Sequence, residues 1–293
     1  MLLSLDPNSA RKKLNEFGCS FNHSDFELNK NERINDVEHN EIVFFRKDTK
    51  NSVRVNLSNF LKSEQTIRIL QNNIIHPNAI SMCLLPDKSI FCYGNYPVSG
   101  AAFILYPDST IKRLSAGNPS GNMGVVYHDG FIYLFGGCNA QGKTWNKAAK
   151  YELSTDKWYK TCPLEEDLSR VSCIAGNYGN YGIAFVGYES SKLYLYNQKQ
   201  DIYNEIYLNF AAQTNNILLQ AENRVFLIES SKNIYESEPN QLSYWIIIEV
   251  SQISYSNRVA YQVYFNQSCY FMDIHCKIYK FDIKSLQLTM TQV

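Results

Sequence analysis

The sequence lacks the charge excess, the apolar runs and the targeting signals that mark several common protein classes. Its 28 lysine and arginine residues balance 28 acidic residues, which excludes a broad basic surface for nucleic acid or an anionic membrane. No window approaches the run of about 18 apolar residues that a membrane-spanning helix needs. The apolar run at the start is too short for a signal peptide and is followed by Asp6 and Pro7. We therefore expect a cytoplasmic protein that binds neither nucleic acid nor membrane.

Recognisable catalytic and metal-binding motifs are also missing. The eight cysteines include no C-x-x-C pair, and the five histidines show no metal-ligand spacing. Because no secretion signal is seen, we interpret the cysteines as reduced and mostly buried. The sequence contains no G-x-S-x-G nucleophile elbow and no phosphate-binding glycine-rich loop. We expect no catalytic residue, no metal site and no cofactor.

Glycine and proline are scarce, whereas aromatic residues are abundant. With only 14 Gly and 8 Pro, the chain is neither collagen-like nor of low complexity. Its 21 Tyr and 16 Phe favour strands over helices. The length fits one large all-β domain or two smaller domains.

One layout of two strands recurs along most of the chain. An apolar strand ends at a turn and is followed by a tyrosine-rich strand, as in YHDGFIYLFGG and then KYEL. The turns lie 42 to 50 residues apart, at Phe45, Gly94, Gly137, Gly187, Glu229 and Asp273. A period of about 40–50 residues is typical of a β-propeller with four strands in each blade. We predict an all-β fold of six blades, at residues 36–76, 77–119, 120–167, 168–210, 211–250 and 251–293. Five or seven blades are the alternatives.

Residues 1–35 differ from the repeats and are predicted to form a separate extension that is partly helical or disordered. A short helix is expected over residues 10–17, ending at Gly18. The first blade offers only three clear strands, expected at Glu41–Phe45, Ser52–Leu57 and Thr66–Leu70. Either residues 25–29 supply its missing inner strand, or the ring closes by strands shared between the two chain ends.

The third repeat carries the clearest motif. An apolar strand ends in Gly136-Gly137, the next strand contains Tyr151, and Trp158 follows seven residues later. Glycine at the strand end accepts a positive φ and a close backbone approach, and the two large rings are suited to filling the wedge between blades. This unit resembles a kelch repeat, and the other five repeats resemble degenerate copies of it. The resemblance implies a kelch-type propeller over residues 36–293.

The resemblance also implies where a partner would bind. Kelch proteins bind through loops at the mouth of the central channel and often carry Arg, Ser or Asn where an inner strand begins. The matching positions here are Asn78, Asn122, Arg170, Asn215 and Arg258, and the neighbouring loops add Tyr96, Tyr188 and Trp145. Two arginines at the mouth would hold carboxylates of an acidic segment in a bidentate manner. The alternative is that they pair with acids of the fold, such as Asp167.

The resulting hypothesis is a non-catalytic protein–protein interaction module, an adaptor or scaffold that binds a protein or peptide partner at the mouth. The first alternative is a kelch-type enzyme of the oxidase or isomerase class, with its site in the channel. A structural domain that associates with itself is the third hypothesis. Loops on a rigid ring are the usual place for any of these functions.

Overall fold

The computed structural model describes residues 40–45, 51–66, 80–94, 100–210, 216–221, 223–230, 233–250, 262–273 and 277–292. Within these ranges the chain forms 23 strands in six antiparallel sheets and no helix. The part of the chain so described therefore contains no helix able to cross a membrane. The helix predicted over residues 10–17 and the strand proposed at residues 25–29 lie outside these ranges, as does the boundary at residue 35.

The strands of each sheet follow one another as a meander, and each sheet is one blade. Blade 1 contains β1 (Glu41–Phe45), β2 (Asn51–Asn56) and β3 (Lys62–Thr66). Blade 2 contains β4 (Ser81–Leu84), β5 (Ile90–Tyr93), β6 (Ala102–Leu105) and β7 (Ile111–Leu114). Blade 3 contains β8 (Gly124–His128), β9 (Phe131–Phe135), β10 (Ala148–Glu152) and β11 (Lys157–Lys160).

The second half of the chain repeats this arrangement. Blade 4 contains β12 (Ser172–Tyr178), β13 (Tyr181–Val186), β14 (Lys192–Asn197) and β15 (Ile202–Tyr207). Blade 5 contains β16 (Asn216–Ala221), β17 (Arg224–Glu229), β18 (Asn233–Ser237) and β19 (Ile246–Val250). Blade 6 contains β20 (Gln262–Phe265), β21 (Ser268–Met272), β22 (Lys277–Asp282) and β23 (Gln287–Gln292). All six sheets fall inside the predicted blade boundaries.

Six apolar clusters hold the sheets together, one between each pair of neighbouring blades. Between blades 3 and 4, for example, the rings of Phe135 and Phe185 stack with their centroids 4.3 Å apart. Burying one such side chain contributes about 1.5–3 kcal/mol. The sixth cluster joins Val53 and Val55 of blade 1 to Tyr270 of blade 6, so the sheets close into a ring. The fold is a six-bladed β-propeller, as the repeats predict.

The inner part of each blade is apolar on both faces because a neighbour covers each face. In β14, Leu193 and Leu195 belong to the cluster shared with blade 5, whereas Tyr194 and Tyr196 belong to the cluster shared with blade 3. Successive side chains of a strand point to opposite faces, so both wedges are filled by one strand. The tyrosines of β14 therefore lie in the wedge between blades 3 and 4.

The third strand of blade 1 begins earlier than expected. The Asn56 side chain accepts the backbone N–H of Ser58, and Phe60 adopts a φ of 55°. These features form a tight turn directly after β2. As a result β3 begins at Lys62, where the sequence pattern placed it at Thr66.

The glycine doublet of blade 3 has the conformation that the sequence predicts. Gly136 and Gly137 have φ values of 66° and 107°. A Cβ on Gly136 would lie 2.4 Å from the Leu168 carbonyl oxygen, and one on Gly137 would lie 2.4 Å from Ser120 Oγ. Only glycine allows both the positive φ and this close approach of the neighbouring connection.

Tyr151 and Trp158 fill the wedge between blades 2 and 3, also as predicted. The Trp158 ring lies 4.8 Å from the ring of Tyr151 and 5.3 Å from that of Tyr93. Tyr151 donates its hydroxyl to Asp156 at 2.5 Å, and the same carboxylate oxygen accepts the backbone N–H of Ser115 from blade 2 at 2.8 Å. The indole N–H of Trp158 completes the connection by donating to the Ser115 carbonyl at 2.8 Å.

Blade 4 repeats this connection with different residue types. Tyr196 donates its hydroxyl to Asp201 at 2.6 Å, and both carboxylate oxygens of Asp201 lie 3.0 Å from the backbone nitrogen of Cys162 in the segment after blade 3. Tyr203 takes the place of the tryptophan and donates to the Cys162 carbonyl at 2.8 Å. Blade 4 thus preserves the hydrogen-bonding scheme of blade 3 without the tryptophan.

The first strands of blades 2 to 5 lie side by side at the centre of the ring. Side chains link these inner strands, since Ser172 accepts the backbone N–H of Leu218 at 2.9 Å and Gln262 donates to the Leu218 carbonyl at 2.8 Å. We call the end of the ring at which the inner strands begin the mouth face. Because the strands are antiparallel, the loops between second and third strands lie at the same end.

Candidate functional site

Arg170 and Asn122 occupy the same position in consecutive blades at the mouth face. Each lies two residues before an inner strand, β12 and β8 respectively, and each has a positive φ, 49° for Arg170 and 60° for Asn122. The backbone N–H of Arg170 donates to the Asn122 carbonyl at 2.9 Å. This bond ties the two connections together.

The Arg170 side chain is exposed and lies over an aromatic ring. Its guanidinium carbon is 4.8 Å from the centre of the Tyr188 ring, a cation–π distance. Among the residues that the structure describes, no carboxylate forms an ion pair with it, so the predicted alternative of pairing with Asp167 is not observed. A guanidinium stacked in this way keeps its N–H edge available for an incoming carboxylate.

Tyr188 is fixed in place by the chain that follows β13. Its backbone N–H donates to the Ser169 carbonyl at 3.0 Å, next to Arg170 in the sequence. A hydrogen bond between the Tyr188 hydroxyl and the exposed Glu189 raises the pKa of the tyrosine. The ring therefore stays neutral near pH 7 and offers its face to Arg170 and its edge to solvent.

Trp145 is less exposed than the sequence suggests. Its indole N–H donates to Ser120 at 3.1 Å, and the ammonium group of Lys147 lies 3.6 Å from the ring centre. Its backbone pairs with Leu168, two residues before Arg170. Trp145 thus supports the connection that carries Arg170, and it is half-buried rather than a freely exposed anchor.

The loop of blade 3 adds positive charge beside this group. Lys143 and Lys147 are both exposed in the segment 138–147, which contains no acidic residue. The loop is held in shape by Asn139, whose side chain accepts backbone N–H bonds from Gln141 and Lys143 at 3.0 and 2.9 Å. Lys143 and Lys147 thus add two exposed cations here, and the segment that is hydrogen-bonded to Asn146 and Trp145 adds the exposed acids Glu165 and Asp167.

Blade 5 contributes a buried polar group that the sequence reasoning missed. Asn216 is the first residue of β16, its side-chain nitrogen and oxygen are buried, and neither has a hydrogen-bond partner among the described residues. It lies directly opposite Glu229 in the ladder, and this carboxylate accepts bonds from Asn233 at 3.0 Å and Tyr235 at 3.4 Å. Burial raises the pKa of Tyr235 to about 12.

Four of the predicted site residues lie outside the described ranges, namely Asn78, Tyr96, Asn215 and Arg258. Their placement at the mouth, and the pairing of Arg258 with Arg170, stay predictions. The structure brings the other four into one connected group, namely Asn122, Trp145, Arg170 and Tyr188.

The described residues also bear on metal binding and on the cysteines. In the described ranges no three His, Cys, Asp or Glu side chains come together in a way that would hold a metal ion. The thiols of Cys83, Cys92 and Cys269 are buried, and burial raises their pKa, to about 12 for Cys269. These thiols are therefore neutral and inaccessible, and the three cysteines act as small apolar residues of the core.

Comparison with known proteins does not assign the chain to a family. A scan against models of protein families finds no match, and a search of curated proteins finds none. The kelch resemblance therefore depends on the motif of blade 3 and on the six-bladed ring.

Proposed function

We propose that this chain is a non-catalytic protein-interaction module of the kelch type that binds an acidic segment of a partner at the mouth face. In this proposal Arg170 is the main contact. Asn122 and Trp145 hold its connection, and Tyr188 orients its guanidinium. The protein acts as an adaptor or scaffold in the cytoplasm.

The observation that carries the proposal is the state of Arg170. A side chain of this length is costly to order, yet it is placed over Tyr188 at 4.8 Å from a backbone held in the left-handed region by the Asn122 carbonyl. Among the described residues no carboxylate forms an ion pair with its guanidinium. Such a preorganised cation favours a carboxylate ligand, because little further ordering is required on binding.

Kelch identity is supported by blade 3, whose glycine doublet, tyrosine and tryptophan make the contacts that the motif predicts on physical grounds. It is supported further by blade 4, where Tyr196, Asp201 and Tyr203 reproduce the connection between blades. A rigid ring that presents variable loops is a scaffold on which such loops bind partners.

Affinity capture from native lysate with the wild-type chain, followed by mass spectrometry, identifies partners to be tested as synthetic peptides. We expect Arg170→Ala to weaken binding of the selected acidic peptide by about 10–100-fold, the loss of a charged hydrogen-bonded pair. Arg170→Lys should recover only part of the loss, because lysine offers no bidentate fork. Lys199→Ala, which removes an exposed cation from a hairpin at the opposite end of blade 4, is the matched control. Unchanged affinity in Arg170→Ala would overturn the proposed site.

The enzymatic alternative has a separate test. A copper or iron oxidase of the kelch type would purify with its metal, so elemental analysis of the native protein distinguishes it from an interaction module. Copper or iron bound in stoichiometric amount would support the enzyme and overturn the present proposal.

A further inference from the structure

The hairpin between the last two strands is built alike in most blades. In the described ranges, five of the six blades place a left-handed residue four positions after the strand that enters this hairpin. These residues and their φ values are Phe60 at 55°, Ser109 at 68°, Asp156 at 56°, Asp201 at 54° and Leu286 at 60°. The five positions are therefore equivalent, and their surroundings can be compared.

The equivalent residue of blades 3 and 4 is covered by the preceding blade. Asp156 accepts the backbone N–H of Ser115, which follows the last strand of blade 2. Asp201 accepts the backbone N–H of Cys162, which follows the last strand of blade 3. In both blades, a segment of chain that continues from a strand thus lies against the hairpin.

The equivalent residues of blades 2 and 6 are covered by contacts that match their own chemistry. Ser109 accepts a hydrogen bond from the guanidinium of Arg54 in blade 1 at 3.2 Å. Leu286 packs against the apolar cluster that blade 6 shares with blade 5. The position therefore faces the preceding blade, and an apolar residue at this position is covered by apolar side chains.

Phe60 of blade 1 is the exception. Among the residues that the structure describes, it belongs to none of the six apolar clusters. Its side chain is 36% exposed and that of Leu61 is 68% exposed; we call these two residues the apolar pair. The hairpin is nevertheless fixed, because Phe60 donates its backbone N–H to the Asn56 carbonyl at 2.7 Å and Leu61 donates to the Asn59 side chain at 3.0 Å.

The apolar pair combines two features that are unfavourable in the free chain. A left-handed backbone is rare for a side chain as bulky as that of Phe60, and asparagine would adopt it at a lower cost. Large apolar side chains in water also lack the stabilisation that burial would supply. Strained local conformations cluster at functional sites, where other contacts offset them. The apolar pair therefore has the properties of a binding site.

We propose that the apolar pair binds an extended segment of a partner protein that carries a large apolar side chain. The form of this ligand follows from blades 3 and 4, where a continuing segment of chain covers the equivalent residue. Its chemistry follows from blade 6, where apolar side chains cover Leu286. Binding requires little ordering, because the hairpin is already held by its own hydrogen bonds. The pair lies on a hairpin of blade 1, away from Arg170 of blade 4, so the inference does not depend on the partner-binding proposal.

Phe60→Asn in the purified full-length chain tests whether the apolar pair is uncovered in the free protein. We expect the midpoint of urea denaturation to rise, because asparagine tolerates the left-handed backbone and no apolar packing is lost. Leu286→Asn is the matched control: it makes the same change at the equivalent position of blade 6 but removes packing against blade 5, so its midpoint should not rise. If a segment of this chain covers the pair, the midpoint of Phe60→Asn falls instead. A midpoint that falls or stays unchanged would overturn the proposal.

Binding is tested with a phage-displayed library of linear seven-residue peptides, selected on the wild type after depletion on Phe60→Asn. We expect the enriched peptides to share a large apolar residue and to bind the wild type about 10–50-fold more tightly than Phe60→Asn in fluorescence polarisation. Leu61→Asn leaves the backbone at residue 60 unchanged and should weaken the same peptides. Leu286→Asn and Arg170→Ala should bind them like the wild type.

Three results of these measurements would overturn the proposal. The first is a selection that enriches no peptide, or only peptides without a large apolar residue. The second is an affinity that Phe60→Asn and Leu61→Asn both leave unchanged. The third is a dimer of the wild type in sedimentation velocity that Phe60→Asn abolishes, because the pair would then bind a second copy of this chain and not a partner protein. Far-UV circular dichroism confirms that each variant is folded.

Discussion

Gly137 and Gly142 share a positive φ, 107° and 78°, but differ in their surroundings. A Cβ on Gly137 would lie 2.4 Å from Ser120 Oγ and 2.9 Å from the Gly121 carbonyl oxygen, whereas one on Gly142 would meet nothing within 4 Å. The two positions therefore separate the cost of the backbone conformation from the cost of a clash.

We expect Gly142→Ala to lower the free energy of unfolding by about 1–2 kcal/mol, the cost of a left-handed L-residue. Gly137→Ala should cost about 1–3 kcal/mol more, because neighbouring atoms must move. Urea denaturation followed by tryptophan fluorescence measures both. Equal losses at the two positions would show that close approach is not why glycine is required at the doublet.

Asn216 offers a second prediction at the scale of one residue. Both polar atoms of its side chain are buried and have no partner in the described part of the chain, and a buried polar group left unpaired costs about 1–3 kcal/mol. Asn216→Leu has a similar volume and should therefore raise the free energy of unfolding by about that amount in urea denaturation. Asn139→Leu is the control, because it removes side-chain bonds to the loop backbone and should not stabilise. A loss of stability in Asn216→Leu would contradict the assignment.

At the scale of elements, a hydrogen-bonded connection between blades recurs with a fixed spacing. The sequences YELSTDKW and YNQKQDIY share a tyrosine, an aspartate five residues later and an aromatic residue two further on. The aspartates, Asp156 and Asp201, have φ values of 56° and 54° and bind the backbone of the preceding blade's connection. This signal was available from the sequence, but the missing tryptophan of blade 4 concealed it.

We expect Asp156→Ala to lower the free energy of unfolding by about 1–3 kcal/mol, because it removes acceptors for Tyr151 and Ser115. Asp156→Asn should cost less, since asparagine tolerates the positive φ and retains one acceptor oxygen. Asp108→Ala is the control, because in the described part of the chain its carboxylate accepts hydrogen bonds from Thr110, within its own turn. Thermal melts followed by circular dichroism rank the three variants, and equal losses in both alanine variants would contradict the role between blades.

The same connection predicts a response to acid. The hydrogen bond from Tyr151, followed by that from Ser115, lowers the pKa of Asp156 below its ordinary value. A carboxylate with a lowered pKa stabilises the fold at neutral pH, and this contribution disappears as the pH falls through the lowered value. In thermal melts, the difference in melting temperature between Asp156→Asn and the wild type should therefore become smaller below about pH 4.

The blades could be predicted from the sequence because each repeats one pattern of turn and strand at a steady period. The start of β3 could not, because the turn at Asn56 depends on a local side-chain bond that the apolar pattern does not reveal. The alternation of apolar and polar residues is weak in the outer strands, because only one face of each is covered.

The candidate site was predictable in its position but not in its details. Arg170 and Asn122 could be found because both immediately precede an inner strand. At blade 5 the predicted Asn215 lies outside the described residues and stays a prediction. The buried side chain of Asn216 was missed because the sequence does not fix the first residue of a strand finely enough, and a shift of one residue moves a side chain to the other face. The exposure of Trp145 depends on its contacts with Ser120 and Lys147. Neither of these two residues belongs to a motif that the sequence reveals.

At the scale of the whole molecule, the closed ring concentrates tyrosines where neighbouring blades meet. In the described ranges burial raises the pKa of nine of them, namely Tyr93, Tyr133, Tyr151, Tyr178, Tyr194, Tyr196, Tyr203, Tyr235 and Tyr279. The stability of every wedge between blades that contains one is thereby coupled to pH in the alkaline range.

Whether alkaline pH stabilises or destabilises the fold depends on which state, folded or unfolded, loses protons first. An unfolded tyrosine ionises near pH 10, whereas a buried one stays protonated, so the folded state binds more protons above about pH 10. Stability is complete below that pH and falls by about 1.4 kcal/mol per pH unit for each such tyrosine above it. With several tyrosines acting together, we expect a steep cooperative unfolding between about pH 10 and 12.

Circular dichroism and tyrosinate absorbance, recorded together during an alkaline titration, test this expectation. The absorbance of the buried tyrosines should rise only as the strands unfold. Tyr133→Phe removes one ionisable group whose pKa burial raises to about 12 and should make the alkaline loss of stability shallower by about 1.4 kcal/mol per pH unit, with little change at pH 7. If the full tyrosinate signal developed while the strands stayed intact, the wedges would be open to solvent and the coupling would be wrong.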